Sequence, residues 1–220
     1  MPPESPDGAP GSLRELISMT REMPWKARNE VWRLLALPFA RLAFTWAGVA
    51  WRPGWRLYGG PILQKHRRSL LQIGANMELR STVRSNPLGP NHAVILSTRR
   101  PGARLIIGEG FRMTGGSLVC EEAITIGNRV TVGCNSIVTD TDFHPLDVAQ
   151  RHAAFLGGAT APVVIEDDVF IGMNVLVLKG VRLGKGCVIG AGSVVAADVP
   201  PGAIAAGSPA RVIRAGKDQH

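Results

Sequence analysis

The chain has little that would cross-link it or carry it through a bilayer. Among its 220 residues there are three cysteines, Cys120, Cys134 and Cys187. An odd number without C-x-x-C spacing excludes a disulfide framework and a cysteine zinc site, and a reducing, cytoplasmic setting is the expectation. No uncharged apolar run reaches the ~18 residues of a spanning helix, because Arg33 and Arg41 interrupt the apolar stretch 31–51. No charged start leads straight into an apolar run with a cleavage site, so a signal peptide is not expected. Acidic residues are scarce in one half. Residues 1–112 hold 17 Lys/Arg against 7 Asp/Glu, whereas 113–220 hold 8 against 10. That asymmetry suggests an anionic partner. Nucleic acid fits poorly, since the basic run Lys65-His-Arg-Arg68 is short and has no interleaved aromatics.

What the chain does have is a period. Ile165, Ile171, Val177, Leu183, Ile189 and Val195 fall on every sixth position across 165–200. A helix buries a face every 3.6 residues and a strand every two, so a strict six fits neither and indicates a solenoid. Glycine follows the aliphatic at Gly172, Gly184 and Gly190, which reads as a corner where Cβ is costly. The same register appears as Ile107, Met113 and Val119, slips by one, and resumes at Ile126, Val132 and Val138; the slip predicts a bulge at 121–125. Fainter copies at Ile73 and Leu79 place the start of the solenoid near 50 to 70, with 86–90 as a loop leaving it. The domain division predicted is a helical segment 1–55, a solenoid 56–215 with an extruded loop 139–164, and a tail 216–220.

All five tryptophans lie in 25–55. Apolar residues at 32, 35, 39, 42, 46 and 49 form one helical stripe, which Pro38 should kink or split. Two readings stand side by side: a cap over the exposed first coil, or an interfacial anchor with Trp at headgroup depth and cations against anionic lipid.

Four segments carry a family resemblance: Asp140-Thr-Asp-Phe-His-Pro145, Ile165-Glu-Asp-Asp-Val-Phe-Ile-Gly172, Val188-Ile-Gly-Ala-Gly-Ser-Val-Val195 and Ala205-Ala-Gly-Ser-Pro-Ala-Arg-Val-Ile-Arg214. Together they resemble the hexapeptide-repeat acyltransferases, and most closely the sugar O-acetyltransferases of the galactoside, maltose and colanic acid type. The resemblance implies a left-handed parallel β-helix, acetyl-CoA as donor, a sugar hydroxyl as acceptor, and a homotrimer with sites between subunits. It covers roughly residues 60 to 215 and leaves the first 55 outside.

The 26 residues between Val138 and Ile165 break the period, and an excursion from so regular a scaffold usually carries function. An alcohol attacking a thioester needs a base, which imidazole supplies near neutral pH. The resemblance gives that role to His144. Asp140 and Asp142 could orient the ring or stabilise its charged form, or serve only as turn formers. His152 matches no motif and reads as a solvated loop residue. On the donor side, the resemblance assigns Phe170 and Gly172 to the thioester region, the backbone N–H of Met173 to the developing oxyanion, Gly190 and Ala191 to the pantetheine groove, and Arg211 and Arg214 to the nucleotide. Gly190 and Ala191 would equally suit plain solenoid corners. The chain departs from the family where Ala196-Ala197 replaces a common Thr-Lys, with Lys179 or Lys185 as substitutes, and where Met113 aligns with an acceptor-facing Asn. Two alternatives stand beside it: an N-acyltransferase of an amino or nucleotide sugar and a non-catalytic trimeric scaffold. A zinc-dependent, γ-carbonic-anhydrase-like enzyme needs three converging histidines, and His66, His92, His144, His152 and His220 offer no close pair on successive coils.

Overall fold

The computed structural model describes residues 13–153 and 157–216. The aliphatic period becomes short strands wound into a parallel β-helix of three faces. The first coil is β1 (Arg56–Tyr58), β2 (Ile62–Lys65) and β3 (Leu70–Ile73), and the second is β4 (Glu78–Arg80), β5 (Ile95–Thr98) and β6 (Arg104–Ile107). Between β4 and β5 the chain leaves the coil through a short 3-10 turn, Val83–Ser85. The third coil is β7 (Arg112–Thr114), β8 (Ser117–Cys120) and β9 (Ala123–Ile126), and the fourth is β10 (Thr131–Val132), β11 (Ile137–Thr139) and β12 (Val163–Ile165). Then come β13 (Phe170–Ile171), β14 (Leu176–Val177) and β15 (Arg182–Leu183), followed by β16 (Val188–Ile189) and β17 (Val194–Val195). β18 (Ile204–Gly207) opens a last coil, and β19 (Ala210–Arg214) folds back on it antiparallel.

Each face stacks one inward aliphatic per coil. On the first face the ladder is Leu57, Leu79, Met113, Val132, Ile171, Ile189 and Ala205, paired in register and buried throughout. A coil therefore buries its side chains only against the coils above and below, which makes stability a sum of neighbour terms. Two expectations are corrected here. Met113, aligned above with an acceptor-facing Asn, is 2% exposed and points into the core. The slip produces no bulge at 121–125, because β8 pairs with β11 and β9 with β12 without a register shift. Leu118, not Val119, is the inward residue, pairing with Val138. One residue is lost at the corner Gly115-Gly116 and two are gained at the corner Glu121-Glu122, so the corners absorb the slip.

The glycines after the aliphatic are needed for a different reason than backbone angle. A Cβ on Gly133 would lie 2.5 Å from the backbone of Gly172, and one on Gly172 would lie 2.6 Å from the amide nitrogen of Ala191. Close approach of successive coils excludes a side chain there. Left-handed backbone falls two residues later, at Asn135 (φ 62°) and Asn174 (φ 54°), where asparagine tolerates it.

Two helices precede the solenoid, α1 (Leu13–Glu22) and α2 (Pro24–Trp46), and α2 continues through Pro38 as one helix. Its buried residues are Ala40 and Phe44. Phe44 packs edge-on against Trp55 at 4.9 Å and Trp51 at 6.0 Å, and the Trp55 indole N–H donates to the Gly74 carbonyl at 2.7 Å. These aromatics and Val49 close the first coil. The stripe faces out: Trp32, Leu35, Phe39, Leu42 and Trp46 are all exposed, and only Val49, beyond the helix, is buried. A helix docked through alanine sits closer to the sheet than one docked through tryptophan. No helix among the described residues is long and apolar enough to cross a membrane.

All three cysteines are free and buried. Burial, with the Asp140 charge beside it, pushes the Cys120 thiol up to about 12, and burial with the Glu166 charge pushes Cys187 up to about 11. The folded chain should therefore resist a thiol-directed disulfide reagent at pH 8, while the denatured chain reacts at all three. Because these thiols ionise first in the unfolded state, whose thiols titrate near pH 9, their contribution to stability falls as the pH rises beyond that value.

Candidate functional site

The break in the period is a loop that leaves the fourth coil after β11 and returns at β12. Its stem is antiparallel. Thr141 bridges Thr160, the Asp142 N–H donates to the Ala159 carbonyl at 3.0 Å, and the Ala161 N–H donates to the Asp140 carbonyl at 3.0 Å. A short helix, α3 (Val148–Ala153), lies at the tip and carries the exposed His152. Gly158 closes the stem against the histidine step, since a Cβ there would sit 2.6 Å from the His144 amide nitrogen.

His144 is half-buried and follows a tight turn in which its N–H donates to the Asp142 carbonyl at 2.7 Å. The residue at the apex, Phe143, has φ 62°. For an aromatic side chain that conformation is strained by ~1–2 kcal/mol and persists only where its surroundings hold it. They do so here. The Phe143 N–H donates to Thr141 Oγ1 at 3.0 Å, and the Thr141 hydroxyl donates to Glu121 Oε2 at 3.1 Å. Glu121, 7% exposed, is gripped by Arg99 at 3.1 Å and Arg100 at 2.6 Å. The Arg99 guanidinium in turn lies 5.5 Å from the centre of the Phe143 ring. This support went unseen in the sequence, although its signal was there: Glu121 occupies the corner where the repeat gains residues.

Of the two aspartates, Asp140 is a structural residue. It is fully buried, and its two oxygens accept the Glu121 N–H at 2.7 Å and the Glu122 N–H at 2.8 Å, which ties the enlarged corner to the loop stem. Its assignment beside the imidazole is corrected accordingly. Asp142 forms an ion pair with Lys179 at 3.2 Å, and its other carboxylate oxygen is buried without a hydrogen-bond partner among the described residues. Lys179, placed above as a donor-side cation, is thus a partner of the loop within this chain. Ala196 and Ala197 are exposed at the next corner along that same edge, where the Leu178 N–H donates to the Val195 carbonyl.

Phe170, Gly172, Met173, Gly190 and Ala191, also assigned to the donor, stand away from that edge. Phe170 lies on the outer side of the first face, flanked in register by Thr131 and Val188, and is half exposed. Gly172 and Met173 turn the corner from the first face to the second, and Gly190 and Ala191 turn the same corner one coil on. A Cβ at Gly190 would lie 2.8 Å from Cβ of Ala206, so coil stacking alone accounts for both glycines. The Met173 carbonyl accepts the Gly192 N–H at 2.8 Å. Arg211 and Arg214 are exposed on β19, and neither forms an ion pair among the described residues. His144, by contrast, leaves from the corner between the second and third faces. Within one chain the two groups thus occupy different edges of a triangular prism.

Among the described residues no three His, Cys, Asp or Glu side chains form a group that could hold a metal ion. His220 lies outside the described residues.

Residues 162–197 match the bacterial transferase hexapeptide (six repeats) family. The chain is 50% identical over 91 residues to a Schizosaccharomyces pombe protein named as an acetyltransferase, covering 41% of this chain and 42% of that one. It is 41% identical over 90 residues to a 2,3,4,5-tetrahydropyridine-2,6-dicarboxylate N-acetyltransferase of Staphylococcus aureus, covering 41% of this chain and 32% of the relative. The match thus spans less than half the length of these curated relatives. Among solved structures, a galactoside acetyltransferase in complex with coenzyme A shares 35% identity and a TM-score of 0.51, over 57% of this chain and 60% of that one. An N-acyltransferase from Bacillus cereus, solved with dTDP and coenzyme A, shares the fold with a TM-score of 0.59 over 78% of this chain and 84% of its own, at 19% identity. The solenoid is a left-handed parallel β-helix, and its coils over residues 162–197 carry the repeats of the bacterial transferase hexapeptide family.

Proposed function

We propose that the chain is a CoA-dependent O-acyltransferase that moves an acetyl group from acetyl-CoA to a hydroxyl of a sugar or exopolysaccharide precursor. The observation that carries this reading is the histidine step itself: His144 follows a strained residue, Phe143, on a loop fixed to the solenoid by a buried Thr141–Glu121–arginine network. Strain held at one position by so many contacts marks a site where geometry matters. The galactoside acetyltransferase with bound coenzyme A supports the choice of donor and of acceptor class.

In this reading His144 takes the proton of the acceptor hydroxyl as its oxygen bonds to the thioester carbonyl carbon. The negative charge gathers on the carbonyl oxygen, where the backbone N–H of Met173 is the assigned donor. The C–S bond then breaks, and the proton held by the imidazole leaves with the CoA sulfur. No covalent enzyme intermediate is required. Phe170 and the corner Gly190-Ala191 offer a smooth, partly apolar groove for a thin pantetheine arm, with Arg211 and Arg214 for phosphates. Because the two groups lie on different edges of one prism, the loop of one chain meets the groove of a neighbour, which favours a trimer with sites between subunits. A purified monomer with full activity would refute that assembly.

The Staphylococcus relatives named as N-acetyltransferases favour a second reading, in which the acceptor is an amine. Both are tested by acetyl-CoA cleavage, read as thiol release, against free sugars, nucleotide sugars and their amino derivatives. Release that requires a hydroxyl acceptor supports the first reading, and release only with amines supports the second. Absence of acetyl-CoA binding in calorimetry would overturn both and leave a scaffold.

A further inference from the structure

The stripe on α2 is the largest run of exposed apolar side chains on one element of the described chain. Trp32, Leu35, Phe39, Leu42 and Trp46 step by three and four residues along one side and are 61–93% exposed, while the opposite side of the helix, through Ala40 and Phe44, docks on the solenoid. A side that is apolar, continuous and turned away from its own core is built to meet something.

Charge selects the occupant. No Asp or Glu occurs between Glu30 and Glu78, whereas seven Lys or Arg do. Arg41 and Arg52 flank the stripe near its C-terminal end, both exposed, with Arg41 stacked over Trp51 at 5.2 Å. Arg67 and Arg68 are exposed on the first coil, at the end of the prism that α2 covers. A second copy laid on the stripe would bring like charges together. An anionic surface would meet an apolar strip with exposed cations near it and tryptophan rings at its two ends, which is the composition of a helix lying at the boundary between headgroups and acyl chains.

A groove of about 840 Å³ opens beside the stripe, between α2 and the 3-10 turn of the second coil. Trp25, Arg28 and Arg84 line it together with Tyr58, Arg80 and Glu30, whose carboxylate is already paired with Arg33 and Arg56. Arg28 and Arg84 are both exposed and form no ion pair among the described residues. Val83 and Leu88, on the same excursion, are 67% and 55% exposed and extend the apolar margin. An opening rimmed by cations beside an apolar strip suits a phosphate whose ester carries acyl chains.

We propose that α2 is a membrane-surface helix: its outer side lies in the interface of an anionic bilayer, and the groove between Arg28 and Arg84 takes a headgroup phosphate. The enzyme would then work along a membrane face without crossing it. The test is flotation of the full chain with vesicles of phosphatidylglycerol mixed with phosphatidylcholine, and with phosphatidylcholine alone. The expected result is binding to the first, weakened by salt, with tryptophan fluorescence quenched by brominated acyl chains. The double variant Phe39→Glu, Trp46→Glu alters only exposed positions, so it should keep the native melting temperature and lose at least ~10-fold in partition. Arg28→Glu with Arg84→Glu should lower both partition and its salt dependence. Failure to float with anionic vesicles overturns the proposal, as does equal flotation of the stripe variant. A change in solution molar mass of the stripe variant, with vesicle binding intact, would assign the stripe to a second copy instead.

Discussion

Replacing His144 by alanine is expected to leave the melting temperature within a few degrees of the parent and to lower acetyl-CoA cleavage by at least ~10². The two halves of that expectation rest on different contacts. The loop is held by Thr141, Glu121, Asp140 and the stem pairing at Thr160, none of which involves the imidazole. These contacts remain when the ring is removed, so the variant is expected to lose a proton acceptor and keep the turn. Acetyl-CoA affinity, measured separately by calorimetry, should hold, because most of the assigned donor residues stand on another edge. Turnover at the parent rate would overturn the assignment of the base. Loss of turnover together with a large fall in melting temperature would show instead that His144 is part of the loop's structure.

Ile171→Glu should be the most damaging single change in the solenoid, by more than ~4 kcal/mol, since it combines the loss of a buried isoleucine with an unpaired charge in an apolar stack. Ile171 is fully buried between Val132 below and Ile189 above. Its neighbour Phe170 supplies the control: it is one residue away, turned outward and half exposed. Phe170→Glu should shift stability by no more than ~1 kcal/mol while weakening donor binding. Hydrogen exchange should show the damage of Ile171→Glu concentrated in the coils of β10, β13 and β16, because each coil is supported only by its neighbours. An unchanged melting temperature would remove the basis for the inward ladder.

The regular part of this fold could be read directly. From Ile165 to Val195 the inward residue of each strand follows from the period of six, because each corner there has the same length; beyond it the last coil is shorter, with Ala205 sixteen residues after Ile189. Upstream, the phase failed at Val119, where a shortened corner at Gly115-Gly116 is followed by a lengthened one at Glu121-Glu122, and a net count of one conceals two opposite changes. Met113 was misjudged for a related reason: an alignment by motif does not say which of two adjacent residues points inward. The stripe on α2 was legible as a stripe, but its direction was not, since periodicity reports that a side is apolar and is silent on whether it faces a core. At the site, His144 could be reached by resemblance, whereas the Glu121–Thr141 support joins residues of two different coils and has no local signature. The pairing of Lys179 with Asp142 was hidden in the same way.

A parallel β-helix also acts as a ruler. Successive coils rise by the spacing between neighbouring strands, ~4.8 Å. His144 departs from the coil of β11, and Phe170 opens the next one. In the proposed site, the height of His144 relative to the groove is thus set by strand spacings together with the loop that carries the histidine and the packing of neighbouring chains. Evolution could lengthen the prism at either end, and so change what it touches, without disturbing that height. A single coil inserted between β12 and β13 would fold by the same neighbour rules and yet carry the groove a full spacing away from the base, far beyond the displacement that acyl transfer tolerates.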